Sequence, residues 1–166
     1  MMTKGYACFM EIERQFLIDS FPTLPELYRA QVRQGYLSTA PVVRIREFVC
    51  PDGGASYEMT VKGKGTLVRA EVNIPITAEQ YREMAQLLTR PPIRKDYRVY
   101  DLGEGLRLEC SVVDSGDPGS FMYAEVEFDS EEAARAFEPP AFLGREMTEN
   151  PAFSMSAYWI RGRLPL

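Results

Sequence analysis

Polar and apolar residues alternate along eight segments of this chain, and such alternation is typical of half-buried β-strands. In the first segment Glu11, Glu13 and Gln15 fall on one face, whereas Ile12 and Phe16 fall on the other. The segments lie at 11–18, 32–37, 42–49, 56–62, 67–74, 97–101, 106–113 and 121–128. The pattern therefore predicts a fold made mainly of antiparallel strands joined by turns.

Helical signals are fewer than strand signals. Thr77 followed by Gln80 forms a capping box, and apolar residues then repeat at helical spacing until Pro91. Ser130 is a typical N-cap residue and predicts a second short helix. The prolines of segment 19–30 predict a loop with a short helix there. Together these features indicate an α+β fold with a few helices beside the strands.

Five of the later strands have one charged face and one apolar face. The charged faces carry Arg44 and Arg46; Glu58, Thr60 and Lys62; Arg69, Glu71 and Asn73; Arg107, Glu109 and Ser111; and Glu125, Glu127 and Asp129. Two structures satisfy this pattern. In an open sheet the charged face is solvated, and its ion pairs contribute only about 0.2 to 1 kcal/mol each. In a closed barrel the charges point inward, where they must be paired, hydrated or neutralised by a ligand.

Size, charge and cysteine content narrow the class of protein. The 166 residues, of which 45% are apolar, predict a single domain over residues 1–166. A net charge of -5 argues against a nucleic-acid-binding protein, because such proteins usually carry a basic excess. No apolar segment approaches the ~20 residues of a membrane span. Cys8, Cys50 and Cys110 form no Cys-x-x-Cys motif and indicate reduced thiols, so we expect a cytoplasmic protein without a membrane partner.

The chain contains no histidine, and this excludes whole classes of catalytic site. Imidazole metal ligands, Ser-His and Cys-His nucleophile pairs and the usual general base near neutral pH are all absent. Any catalysis must therefore use carboxylates, cationic side chains or a metal ion. Oxygen ligands favour Mg²⁺, Mn²⁺ or Ca²⁺ over Zn²⁺. Glu11 and Glu13, ~6.6 Å apart along one strand face, are close enough to share such a cation.

An ordered set of short motifs resembles one known family. The run Glu11-Ile12-Glu13-Arg14-Gln15-Phe16-Leu17-Ile18 is similar to the opening signature, Glu-x-Glu-x-Lys, of the CYTH superfamily of triphosphate tunnel metalloenzymes. The likeness continues through Gln34-Gly35-Tyr36-Leu37, Val43-Arg44-Ile45-Arg46, Thr60-Val61-Lys62-Gly63-Lys64, Arg69-Ala70-Glu71, Ala124-Glu125-Val126-Glu127-Phe128 and Leu143-Gly144-Arg145-Glu146-Met147-Thr148. Each motif alone is weak, but together they follow the family's order over nearly the whole chain.

The resemblance implies an eight-stranded antiparallel β-barrel tunnel with a few flanking helices, which cleaves a triphosphate with Mg²⁺ or Mn²⁺. It implies four metal ligands, namely Glu11, Glu13, Glu125 and Glu127. It implies phosphate-binding roles for Arg44, Arg46, Lys62 and Arg69, and for Arg94 or Lys95, between which the register is open. Glu71 and Glu109 match further acidic tunnel positions that support the metal site or a second metal ion. The candidates for a direct catalytic role are Glu13, Gln15 and Glu109.

Three positions depart from the family pattern and leave alternatives open. Gln15 replaces the Lys of the opening signature, whereas Asn73 and Ser111 replace acidic residues. The expected substrate is a small-molecule triphosphate, with inorganic tripolyphosphate first, but the family also includes adenylate cyclases, thiamine triphosphatases and RNA triphosphatases. A noncatalytic polyphosphate- or nucleotide-binding tunnel is the alternative from another class. Tyr158 and Trp159 either pack over one tunnel end or face a partner subunit, so the sequence leaves a homodimer open.

Overall fold

The computed structural model describes residues 9–163, and its central feature is a closed antiparallel barrel of eight strands. The strands are β1 (Phe9–Leu17), β2 (Glu26–Thr39), β3 (Val42–Val49), β4 (Ala55–Lys62), β5 (Val68–Pro75), β6 (Ile93–Gly103), β7 (Leu106–Val113) and β8 (Phe121–Glu127). Around the barrel they follow the order β1-β5-β4-β3-β2-β6-β7-β8. The predicted α+β barrel is therefore confirmed, and the alternative of an open, solvated sheet is wrong.

Short helices flank the barrel. They are α1 (Ala78–Ala85), α2 (Glu131–Ala136), a 3-10 helix (Pro151–Phe153) and α3 (Met155–Ile160). The capping box of α1 is present, because Thr77 Oγ1 accepts from the Gln80 backbone N–H while Gln80 Oε1 accepts from the Thr77 N–H. Ser130 caps α2 with a single hydrogen bond, in which its Oγ accepts from the Ala133 backbone N–H. Both predicted helix starts are thus confirmed.

The hydrophobic core lies outside the lumen, because the strands turn their apolar faces outward. Leu108, Cys110 and Val126 are completely buried against α2 and the segment that follows it. Burying a large aliphatic side chain contributes roughly 1.5 to 3 kcal/mol. The apolar faces therefore supply the stability of the barrel, and the inward faces are left for charged residues.

Two strands are longer than the sequence pattern predicted. The expected loop and short helix at 19–30 are wrong in part, because β2 already begins at Glu26 and no helix lies in that segment. Residues 26–34 of β2 pair with β6, and this pairing carries the extended conformation well beyond the alternating stretch. For the same reason β6 begins at Ile93 rather than at Tyr97.

A second apolar cluster closes one end of the barrel. Trp159 of α3 packs against Tyr36 of β2 with ring centroids 5.8 Å apart, and Tyr158 donates a hydrogen bond of 2.9 Å to the buried Asp114. Phe153 of the 3-10 helix packs on Phe121 in the same cluster. Of the two alternatives for Tyr158 and Trp159, packing over a tunnel end is the one observed.

Of the cysteines, Cys50 and Cys110 are free thiols, as expected, whereas Cys8 lies outside the described residues. The tyrosine hydroxyl of Tyr28 lies 3.3 Å from Cys50 Sγ. Within residues 9–163, no helix is long and apolar enough to cross a membrane.

Arg14 ties β1 to the segments that cover the outer core. Its guanidinium donates to both carboxylate oxygens of Glu146, at 2.7 and 2.6 Å. It also donates to the carbonyls of Ala134 and Phe137, at 2.9 and 2.8 Å, where α2 ends. Because the last carbonyls of a helix have no partner within it, Arg14 satisfies the end of α2 and joins it to β1.

We expect Arg14→Met to lower the free energy of unfolding by about 2 kcal/mol, because it removes charge-assisted hydrogen bonds to partly buried groups. Urea denaturation measures this change. Arg135→Met is the matched control, since Arg135 pairs with Glu131 only at the exposed surface of α2, where such a pair contributes about 0.5 kcal/mol or less. Equal losses of unfolding free energy in the two variants would contradict a stabilising role for the hydrogen bonds of Arg14.

Candidate active site

The barrel lumen is a charged cavity of about 620 Å³. Its carboxylates belong to Glu11, Glu13, Glu71, Glu109, Glu125 and Glu127, and its cations to Arg44, Arg46, Lys62, Lys64, Arg69 and Lys95. Most of the carboxylates lie on β1, β7 and β8, which are neighbours in the barrel, and we call this side the acidic wall. The cations lie on β3 to β6 and on the turn after β4, and we call that side the basic wall.

Three carboxylates of the acidic wall form a cluster. Oxygens of Glu11, Glu13 and Glu127 all lie within 4.8 Å of one another. The barrel register creates this cluster, because Glu13 is directly opposite Glu127 across the β1–β8 pair. Oxygens that bind one Mg²⁺ at ~2.1 Å are themselves roughly 3 to 4 Å apart. The cluster therefore fits a hard divalent cation after a small contraction.

Cations of the basic wall reach across to this cluster. Arg69 donates through Nε to Glu11 Oε2 at 2.5 Å and through Nη2 to Glu13. Lys62 lies 3.0 Å from Glu11 and 2.6 Å from Glu71. These are largely buried ion pairs, in which each charge needs its partner because an unpaired charge in such a place costs several kcal/mol.

Gln15 connects the cluster to a fourth carboxylate. Its Nε2 donates to Glu13 Oε1 at 2.9 Å and to Glu125 Oε1 at 3.0 Å. An amide NH₂ group has two hydrogens, and here both are used on carboxylates. Gln15 thus holds Glu13 and Glu125 in position, but it brings no positive charge between them.

The two arginines of β3 each have an unused hydrogen-bond donor. Arg44 donates to Thr60 Oγ1 at 3.1 Å, and Arg46 donates to Glu58 at 2.5 Å. In both arginines the buried Nε has no hydrogen-bond partner among the described residues. A buried donor without a partner is unfavourable, and an anion in the cavity would supply the missing hydrogen-bond acceptor.

The neutral Asn73 also belongs to the lumen network. Its Oδ1 accepts from Thr60 at 2.7 Å, and its Nδ2 donates to Glu71 Oε1 at 2.7 Å. Ser111 lies inside the barrel as well and is buried next to Tyr123, its cross-strand neighbour. The residues that depart from the family pattern therefore point into the same lumen as the charged ones.

The structure places Lys95, not Arg94, in the cavity. Lys95 is 6% exposed and its Nζ lies 2.5 Å from the Tyr123 hydroxyl. Burial lowers its pKa to about 7, and the neighbouring cations of the basic wall act in the same direction. Arg94 points out of the barrel and pairs with Asp117 at 3.0 Å. The open register is thereby resolved, and Arg94 does not join the site because strand alternation turns it to the outer face.

Burial raises the pKa of most lumen carboxylates; Glu71 is the exception, because its hydrogen bond with Glu11 and its ion pair with Lys62 outweigh burial and lower its pKa. The pKa values of Glu13, Glu109 and Glu125 all lie above their ordinary value, first because of burial and then because other carboxylates are close. The same causes raise the pKa of Glu127 to about 7. The site therefore resists accumulating negative charge until a cation binds.

Several lining residues were not among the predicted site residues. On β2 these are Val32, Gln34 and Tyr36, which share the lumen face because strand side chains alternate. From the closing end come Phe153 and residues 154–156. The alternation of β2 was a usable signal for the first group. The second group reaches the cavity only through tertiary packing, for which the sequence carries no local signal.

A closed barrel with an acidic wall and a basic wall facing one cavity defines a charged-tunnel protein. No protein-family model matches the chain. The chain is 37% identical over 147 residues to an inorganic triphosphatase from Nitrosomonas europaea, a match that covers 89% of this chain and 95% of that protein. The chain belongs to the CYTH superfamily, the triphosphate tunnel metalloenzymes.

Solved structures agree with this assignment. The crystal structure of an inorganic triphosphatase aligns with a TM-score of 0.62 at 32% identity, over 92% of this chain and 95% of that chain. A putative adenylyl cyclase from Hippeastrum, described as having a dominant triphosphatase activity, aligns with a TM-score of 0.57 over 76% of this chain and 83% of its own. At 19% identity this second likeness supports the fold alone.

We predict that, in EDTA, the thermal midpoint falls as pH rises from 5 to 7. A carboxyl whose pKa is raised on folding stabilises the folded state below its ordinary value of 4.5, and this contribution is lost as pH rises through the folded value, about 7 for Glu127. The lowered pKa of Lys95 acts at higher pH, between about 7 and 10.5, so it does not obscure this window. Differential scanning calorimetry from pH 5 to 8 measures the trend.

Two controls sharpen this measurement. Glu127→Gln should flatten the trend, because the amide does not titrate. Mg²⁺ or Mn²⁺ should raise the midpoint more at pH 7.5 than at pH 5, since metal binding requires deprotonated carboxylates. A midpoint that is constant from pH 5 to 7 in the unmodified protein would refute the raised pKa values.

Proposed function

We propose that this chain is a divalent-metal-dependent triphosphatase that hydrolyses inorganic tripolyphosphate inside the barrel. The observation that carries the proposal is the pairing of an acidic wall, able to hold a cation, with a basic wall, able to hold phosphates, around one cavity. The relative from Nitrosomonas europaea, named an inorganic triphosphatase, supports the choice of substrate. A net-negative protein can bind a polyanion in this way because the attraction is local to the lumen.

The metal would be held by the acidic wall. We assign Glu11, Glu13 and Glu127 as ligands, with Glu125 beside them, and Mg²⁺ or Mn²⁺ as the ion. When bound, such an ion neutralises phosphate charge and polarises the phosphoryl group. Glu109, opposite Glu125 across β7 and β8, supports the same wall. Gln15 holds the carboxylates of Glu13 and Glu125 in position by donating a hydrogen bond to each.

The triphosphate would lie along the basic wall. Arg44 and Arg46 each present a buried Nε without a partner among residues 9–163, and Lys95 completes this group from β6. Phosphoryl transfer depends mainly on positioning and on neutralising the charge of the phosphates, which arginine forks provide well. Lys62 and Arg69 form the part of the wall nearest to the acidic cluster.

The ion pairs of Lys62 and Arg69 couple the binding of the two ligands. In the structure these cations are paired with Glu11, Glu13 and Glu71. When phosphate oxygens take the cations, the carboxylates lose their counter-charges and gain affinity for a metal ion. We therefore expect metal and triphosphate to strengthen each other's binding.

A noncatalytic polyphosphate- or nucleotide-binding tunnel is the second candidate function. It is favoured by Gln15, which leaves Glu13 and Glu125 without the positive charge that the family's Lys would place between them.

Three further predictions from the sequence remain predictions: a cytoplasmic location, a single domain over residues 1–166 and a homodimer.

The activity is tested by phosphate release from tripolyphosphate, ATP and thiamine triphosphate, each with Mg²⁺, Mn²⁺ or EDTA. We expect metal-dependent release, highest with tripolyphosphate. Glu13→Gln should lower kcat at least 100-fold, because the amide is a poor substitute for a charged ligand, while Arg69 keeps its ion pair with Glu11 and the barrel still folds. Arg94→Gln, outside the barrel, is the control that keeps activity. Binding of tripolyphosphate without release would select the second candidate, and full activity of Glu13→Gln would refute the site.

We further predict that Gln15→Lys weakens the binding of Mn²⁺. A lysine at this position would place an ammonium group between Glu13 and Glu125, where it competes with the metal for the same carboxylates. Isothermal titration calorimetry with Mn²⁺ should show an affinity at least about tenfold lower, and the salt dependence of activity should change. Unchanged metal affinity would mean that Gln15 is not part of the metal site.

A further inference from the structure

Gln34 is a buried lumen residue with an unused hydrogen-bond acceptor. It lies on β2, is 0% exposed and lines the cavity. Its Nε2 donates to the Tyr36 hydroxyl at 3.2 Å, but its carbonyl Oε1 has no hydrogen-bond partner among the described residues. A buried carbonyl without a partner is unfavourable, and in a polar cavity its usual partner is water. A water bound at Gln34 would supply the missing partner.

The surroundings of Gln34 are cationic. Arg46 lies directly opposite it on β3, and Arg44 lies opposite its neighbour Tyr36. On the other side, Lys95 of β6 lies opposite Val32, two residues before Gln34 and on the same face of β2. A water held here would therefore adjoin the groups to which we assign the phosphates. Nearby positive charges also favour the deprotonated form of a water molecule.

Tyr36 is oriented by the same amide. Because the Tyr36 oxygen accepts a hydrogen bond from Gln34, its own hydrogen is available to another partner. Tyr36 also lines the cavity, so this hydrogen can be donated to a phosphate oxygen there. One side chain can thus present a carbonyl to water and, through Tyr36, a hydroxyl to the substrate.

We propose that the Gln34 carbonyl positions the water that attacks the terminal phosphorus, an inference that rests on the proposed triphosphatase function. A glutamine that orients the attacking water is an established solution in phosphoryl transfer. The water oxygen forms the new bond to phosphorus, the bond from phosphorus to the bridging oxygen breaks, and its electron pair leaves with diphosphate. One water proton stays on the hydrogen phosphate product and the other is released to solvent. Gln34 accepts a hydrogen bond but takes up no proton.

The test compares Gln34→Leu and Gln34→Glu with the unmodified protein in tripolyphosphate hydrolysis. Gln34→Leu removes the acceptor and should lower kcat about 100-fold, because misplacing a reactant by about 1 Å costs this much, with KM within about threefold. Gln34→Glu keeps an acceptor and should retain more activity than Gln34→Leu. Gln31→Leu, the same change on the exposed outer face of β2, should have no effect. Binding of the non-hydrolysable bismethylene triphosphonate should persist in every variant.

A double-mutant cycle separates water positioning from an effect through Tyr36. If Gln34 acts on water, Gln34→Leu should lower kcat further in a Tyr36→Phe background. Equal kcat in Tyr36→Phe and in the double variant would overturn the proposal, as would an unchanged kcat in Gln34→Leu.

A Gln34→Glu variant with a tenfold higher KM and unaltered kcat would mean that the amide binds phosphate instead of water. Absence of release by the unmodified protein would refute the triphosphatase function itself.

Discussion

Buried charges in a closed barrel must be neutralised, and this constraint explains most of the structure. The apolar strand faces pack outside against α2 and the segment that follows it, and the 3-10 helix and α3 close one end, so the inward faces carry the polar residues. Inside, Arg69 joins Glu11 to Glu13, and Lys62 joins Glu11 to Glu71. Removing one partner of such a buried pair costs several kcal/mol. In the proposed function, a metal ion and a phosphate chain replace these ion pairs.

The neutral residues of the lumen fit the same constraint. Asn73 and Gln15 stand where the family pattern has charged residues, and each bridges two polar partners. The neutral side chains therefore leave no buried group unpaired at these two positions. Among residues 9–163, buried atoms without a hydrogen-bond partner remain on Gln34, Arg44 and Arg46, whereas the fourth such atom, Glu71 Oε2, has an ion pair with Lys62. Unpaired buried polar atoms are rare in stable proteins and mark places where a ligand or water binds. These unpaired atoms lie along the basic wall, where we propose that the substrate binds.

The alternation of polar and apolar residues predicted the strands and the lumen-facing side chains, because this period depends only on local backbone geometry. It did not predict that β2 begins at Glu26, where the chain is extended because β6 pairs with it. It left Arg94 and Lys95 unresolved, since a one-residue shift exchanges the two faces of a strand. Packing alone brings Asn150, Pro151 and residues 153–156 to the cavity, and the carbonyl of Gln34 that lacks a partner is recognised only in three dimensions.

The most direct test of the two-wall arrangement is a crystal structure with Mn²⁺ and bismethylene triphosphonate, measured at a wavelength where manganese scatters anomalously. We expect a manganese peak among Glu11, Glu13 and Glu127, with the phosphonate groups inside the barrel on the guanidinium groups of Arg44 and Arg46. Phosphonate density outside the barrel, or a manganese peak away from the acidic wall, would contradict the two-wall arrangement.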